Sequence, residues 1–413
     1  MSENLKFSLY IIRIIFNKMI NKFVLICIGL LLFVSCNTNN NNLKINYSEI
    51  PQIPNKKNNP QVIDIDKHDI ITDSIFMKDY VENIKTVQLD NNMPIGSIEK
   101  MRVYQGKVYI LSDNKLYVFD ENTGKYQFMI DYKGHGHNEY LVLNDFQILS
   151  QEKLIMGVDD TLGKIFFYNM ENGKFMKSIE LKVGTPTIRK MGNLYFQNVL
   201  FGLIDDQDEN WQIVAYDGNK YKYKQFKMYP LQKEEFRDNL HETNLGITFT
   251  PLYSDTIYRI NKDLTYSVTY ILKNKKSAWN IKDKDLSYDS FMKIFNAHEY
   301  CYLKGETFLE TKNGLLFCMK QGDKNISGYE RYFFFDKRKK ETTEIVILAR
   351  EFPTDMMLPT LYCSYSNRVY GIYSDLGSLK ENVVPDRINN KDLRHCIENK
   401  IENNPILVSF RIK

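Results

Sequence analysis

Beyond residue 60 the chain alternates short apolar bursts with Asn, Asp and Gly, the pattern of strands joined by tight turns. The clearest unit runs Lys107–Asp113, Lys115–Asp120, a turn over Glu121–Gly124, then Lys125–Ile130. The same order returns at Lys153–Asp159, Lys164–Tyr168, a turn at Asn169–Gly173 and Lys174–Leu181. A third copy has Leu194–Leu200, Gln212–Tyr216, Asp217–Gly218 and Tyr221–Met228, and a fourth has Gly246–Ser254, Thr256–Ile260 and Tyr266–Leu272. Leu315–Lys320, Arg331–Phe335 and Thr343–Leu348 make the fifth. Asn, Asp and Gly tolerate the positive φ that hairpin turns demand. The spacing of 41 to 69 residues between copies brackets the length of a four-stranded propeller blade.

A sixth copy decides the architecture. Arg368–Tyr373 and Ile406–Ile412 supply two of its strands, and the chain then runs out one strand short. An orphan strand, Ile84–Leu89, stands ahead of the first copy. Pairing it with Ile406–Ile412 completes the blade and removes an exposed edge. The fold class expected is therefore all-β: a six-bladed β-propeller over 61–413, closed by an N-terminal strand on the C-terminal one, with short helical insertions. A β-sandwich or an open array of hairpins is the alternative.

Composition supports this reading. Aromatics make up 13% of the chain, with 28 Tyr and 25 Phe against only four alanines. Aromatics suit pleated surfaces, whereas Ala is the strongest helix former. The charge of +4 is concentrated at the start, where Lys6, Arg13, Lys18 and Lys22 oppose only Glu3. The remainder is nearly neutral, which disfavours nucleic acid as a partner.

Those basic residues flank an apolar run, Phe23–Val34, of signal-peptide length, followed by Ser35 and Cys36. The segment 1–36 resembles a bacterial lipoprotein leader ending in a lipobox, with Phe33 where Leu is usual and Cys36 as the lipidated residue. An uncleaved N-terminal membrane anchor is the alternative, and Met19 would make a tidier start than Met1. Polar residues 37–60 are expected to form a flexible tether. No acidic residue follows Cys36 closely, which favours a periplasm-facing outer-membrane lipoprotein. Of the remaining cysteines, Cys301, Cys318, Cys363 and Cys396 allow three pairings, and spacing does not choose among them.

The repeats, together with Ile63–Lys67, Ile84–Leu89, Gly134–Tyr140 followed by Asp145-Phe146, and Tyr253–Ile260, resemble the 6-bladed β-propeller lipoproteins of Bacteroides-type bacteria. These are related in pattern to NHL-like and TolB-like propellers. His137-Asn138 stands here where that family usually has Pro-Gly. The resemblance covers roughly residues 61–413 and implies fold and address rather than an activity.

Candidate chemistry gathers where loops between blades meet loops joining second and third strands. His135, His137 and Glu139 offer divalent-metal ligands, although a blade-crossing turn is the plainer reading, with Glu139 capping backbone amides. Asp205, Asp206, Asp208 and Glu209 form an acidic loop without the EF-hand glycine. Residues 274–298 and 375–404 read as helical insertions on the same rim. Trp211 and Trp279 fall there too; exposed, they would stack on sugars or anchor a protein, and the alternative is that each packs its own insertion. No Gly-x-Ser-x-Gly, His-Glu-x-x-His or P-loop is present. The expected activity is therefore non-catalytic binding of a glycan, peptide or envelope protein by a monomer, with Trp211, Trp279, Asp206 and Asp208 as ligand contacts. A metal-dependent hydrolase or lyase at the channel mouth is the alternative.

Overall fold

The computed structural model describes residues 49–181, 185–199, 211–227, 239–243, 245–281, 286–325, 328–347, 358–373, 394 and 404–413. All of them belong to one compact unit, Asn46–Lys413. It opens with strands β1 (Gln61–Asp64) and β2 (Asp69–Thr72), helix α1 (Asp73–Asp79) and strand β3 (Val81–Gln88).

The blades follow in chain order. Blade 1 is β4 (Ile98–Tyr104), β5 (Lys107–Ser112), β6 (Lys115–Asp120) and β7 (Tyr126–Ile130). Blade 2 is β8 (Asp145–Leu149), β9 (Leu154–Asp159), β10 (Lys164–Asn169) and β11 (Phe175–Glu180). Blade 3 is β12 (Ile188–Met191), β13 (Leu194–Asn198), β14 (Trp211–Tyr216) and β15 (Tyr221–Lys227). Blade 4 is β16 (Leu240–Thr243), β17 (Gly246–Phe249), β18 (Thr256–Asn261) and β19 (Tyr266–Lys273). Blade 5 is β20 (Cys301–Glu310), β21 (Gly314–Gln321), β22 (Tyr329–Asp336) and β23 (Glu341–Val346). Blade 6 is β24 (Thr360–Tyr365), β25 (Arg368–Tyr373) and β26 (Ile406–Ile412), with β3 as its fourth strand. These six sheets are the expected propeller.

The closure is antiparallel, with Ile406 opposite Gln88, Val408 opposite Thr86 and Ile412 opposite Val81. First strands of successive blades approach one another around the axis, as β24 does β4 and β12 does β8. Middle strands are covered on both faces by neighbouring blades, so β9 and β10 are almost wholly buried while β11 is largely exposed. That is why the middle strands read as apolar runs instead of clean alternation. The core consists of the layers between blades. Tyr109, Leu116 and Val118 of blade 1 meet Phe146, Ile155 and Phe166 of blade 2 in one such layer.

The N-terminal stretch corrects one expectation. From Ile50 onward the segment read as a free tether is packed on the ring. Ile53 is 3% exposed within the layer between blades 3 and 4, and its N–H donates to the Lys224 carbonyl of β15. Lys56 N–H then donates to the Tyr266 carbonyl of β19. β1 continues parallel to β19, with Gln61 opposite Tyr270, and β2 runs parallel to β23, with Asp69 opposite Thr343. Blades 4 and 5 thereby gain a fifth strand at the outer edge. Thr72 caps α1, which buries Phe76 and Met77 beside Phe334 and Phe410. The chain thus runs as a belt over the outer edges of blades 3, 4 and 5 before entering blade 6, covering strand edges that would otherwise invite foreign pairing.

Candidate functional site

The loops between blades share a rim with the turns joining second and third strands, and their hydrogen bonds show how tightly. In the crossing from blade 1 to blade 2, Tyr140 is fully buried and its hydroxyl donates to the Asn114 carbonyl at 2.7 Å. The backbone N–H groups of Leu141 and Val142 donate to Asp159 Oδ2 at 2.7 and 3.2 Å. One crossing is therefore locked to the turns of two blades.

Gly134 and Gly136 are small there for the sake of Glu139. A Cβ on Gly134 would lie 2.0 Å from Glu139 Oε2, and the Gly136 N–H donates to the same oxygen at 2.7 Å. Glu139 thus serves as a backbone cap. His135 and His137 are exposed on the same loop. Among the described residues no group of three His, Cys, Asp or Glu is placed to hold a metal ion.

The crossing from blade 4 to blade 5 is the elaborated one. Ser277 Oγ accepts from Trp279 N–H and donates to Asp255 Oδ1 at 2.5 Å, setting a 3-10 turn over Ala278–Asn280. Ser287 caps α2 (Tyr288–Ala297), whose Phe291 and Phe295 are fully buried. They meet Tyr253 from blade 4 and Tyr302 of β20, with ring centroids 4.6 Å apart for Tyr253–Phe291 and 5.4 Å for Phe295–Tyr302. On the blade 5 side, a Cβ on Gly322 would come within 2.5 Å of the Phe295 carbonyl oxygen. The helix is therefore pinned between two blades. Trp279 remains 37% exposed, with Lys275, Lys276 and Asn280 exposed around it.

Trp211 behaves differently from Trp279. It is 8% exposed, within β14, and the Lys224 ammonium sits 4.4 Å from its ring centroid. Its strand position turns it inward, so the expected exposed platform is not there. Cys36, Asp206, Asp208 and the insertion at 375–404 lie outside the described residues, Arg394 and Asn404 excepted. Cys301 and Cys318 are buried, and burial pushes the Cys301 thiol up.

A charged cluster that the sequence reading missed joins the inner strands of three blades. Asp145, fully buried at the start of β8, accepts from Arg189 Nη1 of β12. Its other oxygen lies 3.1 Å from Lys100 Nζ and 3.2 Å from Arg102 Nη2, both on β4. Gln147 also ties β8 to β12, its Oε1 accepting from Lys190 N–H at 2.6 Å. The only forewarning was Asp145 itself, which the sequence pattern had marked without a role.

A family described as a domain of unknown function, DUF4934, matches residues 60–411. The chain belongs to the DUF4934 family. Among curated proteins none matches the sequence. A candidate exported protein of Bacteroides fragilis NCTC 9343 has a structure similar to this DUF4934 chain, with TM-score 0.67 and 18% identity. The similarity covers 85% of this chain and 99% of that one. A member of the DUF4221 family from Bacteroides vulgatus aligns at TM-score 0.48 and 13% identity, covering 81% of this chain and 97% of that one. The first likeness shows that the two chains share a fold. Among the described residues of this DUF4934 protein, no helix is long and apolar enough to cross a membrane.

Proposed function

We propose that this propeller works in the cell envelope by binding, and that the crossing between blades 4 and 5 presents its contact surface to a glycan, peptide or envelope protein. The observation that carries this reading is Trp279, a large amphipathic ring left 37% exposed on a crossing whose neighbours are fixed by a buried aromatic cluster. A rigid, partly exposed aromatic costs little entropy to use as a binding anchor. The leader-like segment ending at Cys36 supports an envelope address with lipid attachment at that cysteine. A similar fold in a candidate exported protein of Bacteroides fragilis is in keeping with that address. Glu139 Oε2 accepts from the Gly136 N–H, a capping role that supports the binding reading over a metal one.

The test compares wild type with Trp279→Ala for capture of solubilised envelope polysaccharide, peptidoglycan fragments and envelope proteins. Capture should fall at least tenfold in the variant while circular dichroism and melting temperature stay unchanged. Equal capture by the two proteins removes the rim as the contact surface. Stoichiometric metal in the purified protein, lost on His135→Ala, would replace the binding reading with the enzymatic one.

A further inference from the structure

Between β1 and β2 the belt steps from blade 4 to blade 5, and His68 occupies that step with its side chain 16% exposed. Its ring packs edge-on against Phe333 of β22, centroids 5.6 Å apart. Nδ1 lies 2.9 Å from the Ile65 carbonyl oxygen, and Nε2 lies 2.8 Å from Glu344 Oε2 on β23. Both neighbours are acceptors. A neutral imidazole carries one N–H, so either tautomer sets a nitrogen lone pair against an oxygen lone pair. Only the imidazolium donates to both.

Arg331 of β22 is the competing cation, with Nη2 3.4 Å from His68 Nε2. That approach is longer than the 2.8 Å one to Glu344, and one of the guanidinium's two Nη2 hydrogens is already given to Glu344. Its Nε and Nη2 donate to Glu344 at 2.7 and 2.5 Å, and its Nη1 donates to Gln321 Oε1 at 2.8 Å. The remaining charged groups nearby are committed or solvated. Asp64 pairs with Lys273 at 2.7 Å, Asp66 accepts from the Lys275 N–H, and Lys67 and Asp69 are exposed. Cys301 of β20, within the field of Arg331, is a buried thiol.

We infer that His68 is a proton-operated latch fastening the belt to blade 5. Protonated, it bridges the belt's own Ile65 carbonyl to the outer strand of the blade. Neutral, it gives up one of the two bonds and leaves the step between β1 and β2 more weakly held to blade 5.

Hydrogen–deuterium exchange on the full chain between pH 5 and 8 tests this, with protection factors for amides in 61–72 referred to those of β10. Among the described residues β10 pairs with β9 and β11 alone. Relative belt protection should fall about tenfold from pH 5 to pH 8, the scale of one charge-assisted hydrogen bond. His68→Gln should be independent of pH and match wild type at pH 8. A constant wild-type ratio, or the same pH dependence in His68→Gln, overturns the latch. If the variant does not fold, 15N-histidine spectra of wild type decide. Two protonated ring nitrogens on His68 at pH 5, with loss of one tracking belt opening, support the latch; a neutral ring at pH 5 overturns it.

Discussion

Replacing Asp145 with Asn isolates what the charged cluster contributes to holding three blades together. The side chain keeps its size but loses its charge, and its amide presents N–H groups to Arg189, Arg102 and Lys100. Arg189 is 1% exposed, whereas the side chains of Lys100 and Arg102 are 19% and 21% exposed, so solvent can relieve the latter two more than the first. Removing one member of a buried ion pair costs about 3–5 kcal/mol. At about 2.1 cal/mol/K per residue, roughly 370 residues of the compact unit carry an unfolding entropy of about 0.8 kcal/mol/K. The melting temperature of Asp145→Asn should therefore fall by about 4–6 °C. Differential scanning calorimetry is the assay, because agreement of calorimetric and van't Hoff enthalpies also tests whether the ring melts as one unit. Glu171→Gln, which removes an exposed carboxylate, should stay within about 0.5 kcal/mol of wild type. A shift below about 1 °C for Asp145→Asn would mean that the carboxylate adds nothing its surroundings do not replace.

Other changes probe separate parts of the ring. Tyr140→Phe removes the hydroxyl that donates to Asn114, and should cost about 1 kcal/mol in chemical denaturation. Gly124→Ala puts a Cβ 1.9 Å from the Gln88 carbonyl oxygen at φ +69°, so the turn must leave the end of β3; a loss of more than about 1 kcal/mol is expected by the same measurement. Phe295→Ala empties a fully buried site under α2, and faster exchange confined to residues 288–300 should report a local loss of about 3 kcal/mol. Burial acts to raise the Glu310 carboxyl, but Lys337 and Arg259 outweigh it and hold the group below its usual 4.5. A depressed carboxylate stabilises the fold above its unfolded value and loses that stabilisation as pH falls through the folded one. Glu310→Gln should accordingly be destabilised at neutral pH and lose less stability than wild type on acidification below about 4.5.

The blades were legible because local signals suffice for them. Lys115–Asp120, Arg368–Tyr373 and Ile406–Ile412 are strands with the bounds read from the sequence, and the closing strand differs only at its ends. The helical insertion was visible in the spacing of Phe291 and Phe295. Long-range contacts were not legible in the same way. Ile63 and Ile65 look strand-like, yet nothing local says that β1 will pair in parallel with a strand some two hundred residues away. Lys100, Arg102 and Arg189 converge on Asp145 only once three blades are stacked. Trp211 reads as an exposed aromatic after an acidic loop, and only strand pairing reveals that its ring faces inward.

The course of the belt also sets how the domain would respond to pulling. A load entering at the N-terminal side meets Ile50–Thr72 on the perimeter before it can reach the closing pair of β3 and β26. Bonds along β1 and β2 must give way in succession before tension is felt at the seam. The perimeter segment is thus a strain relief, and the disc would shed its outermost turn of chain well before it came apart.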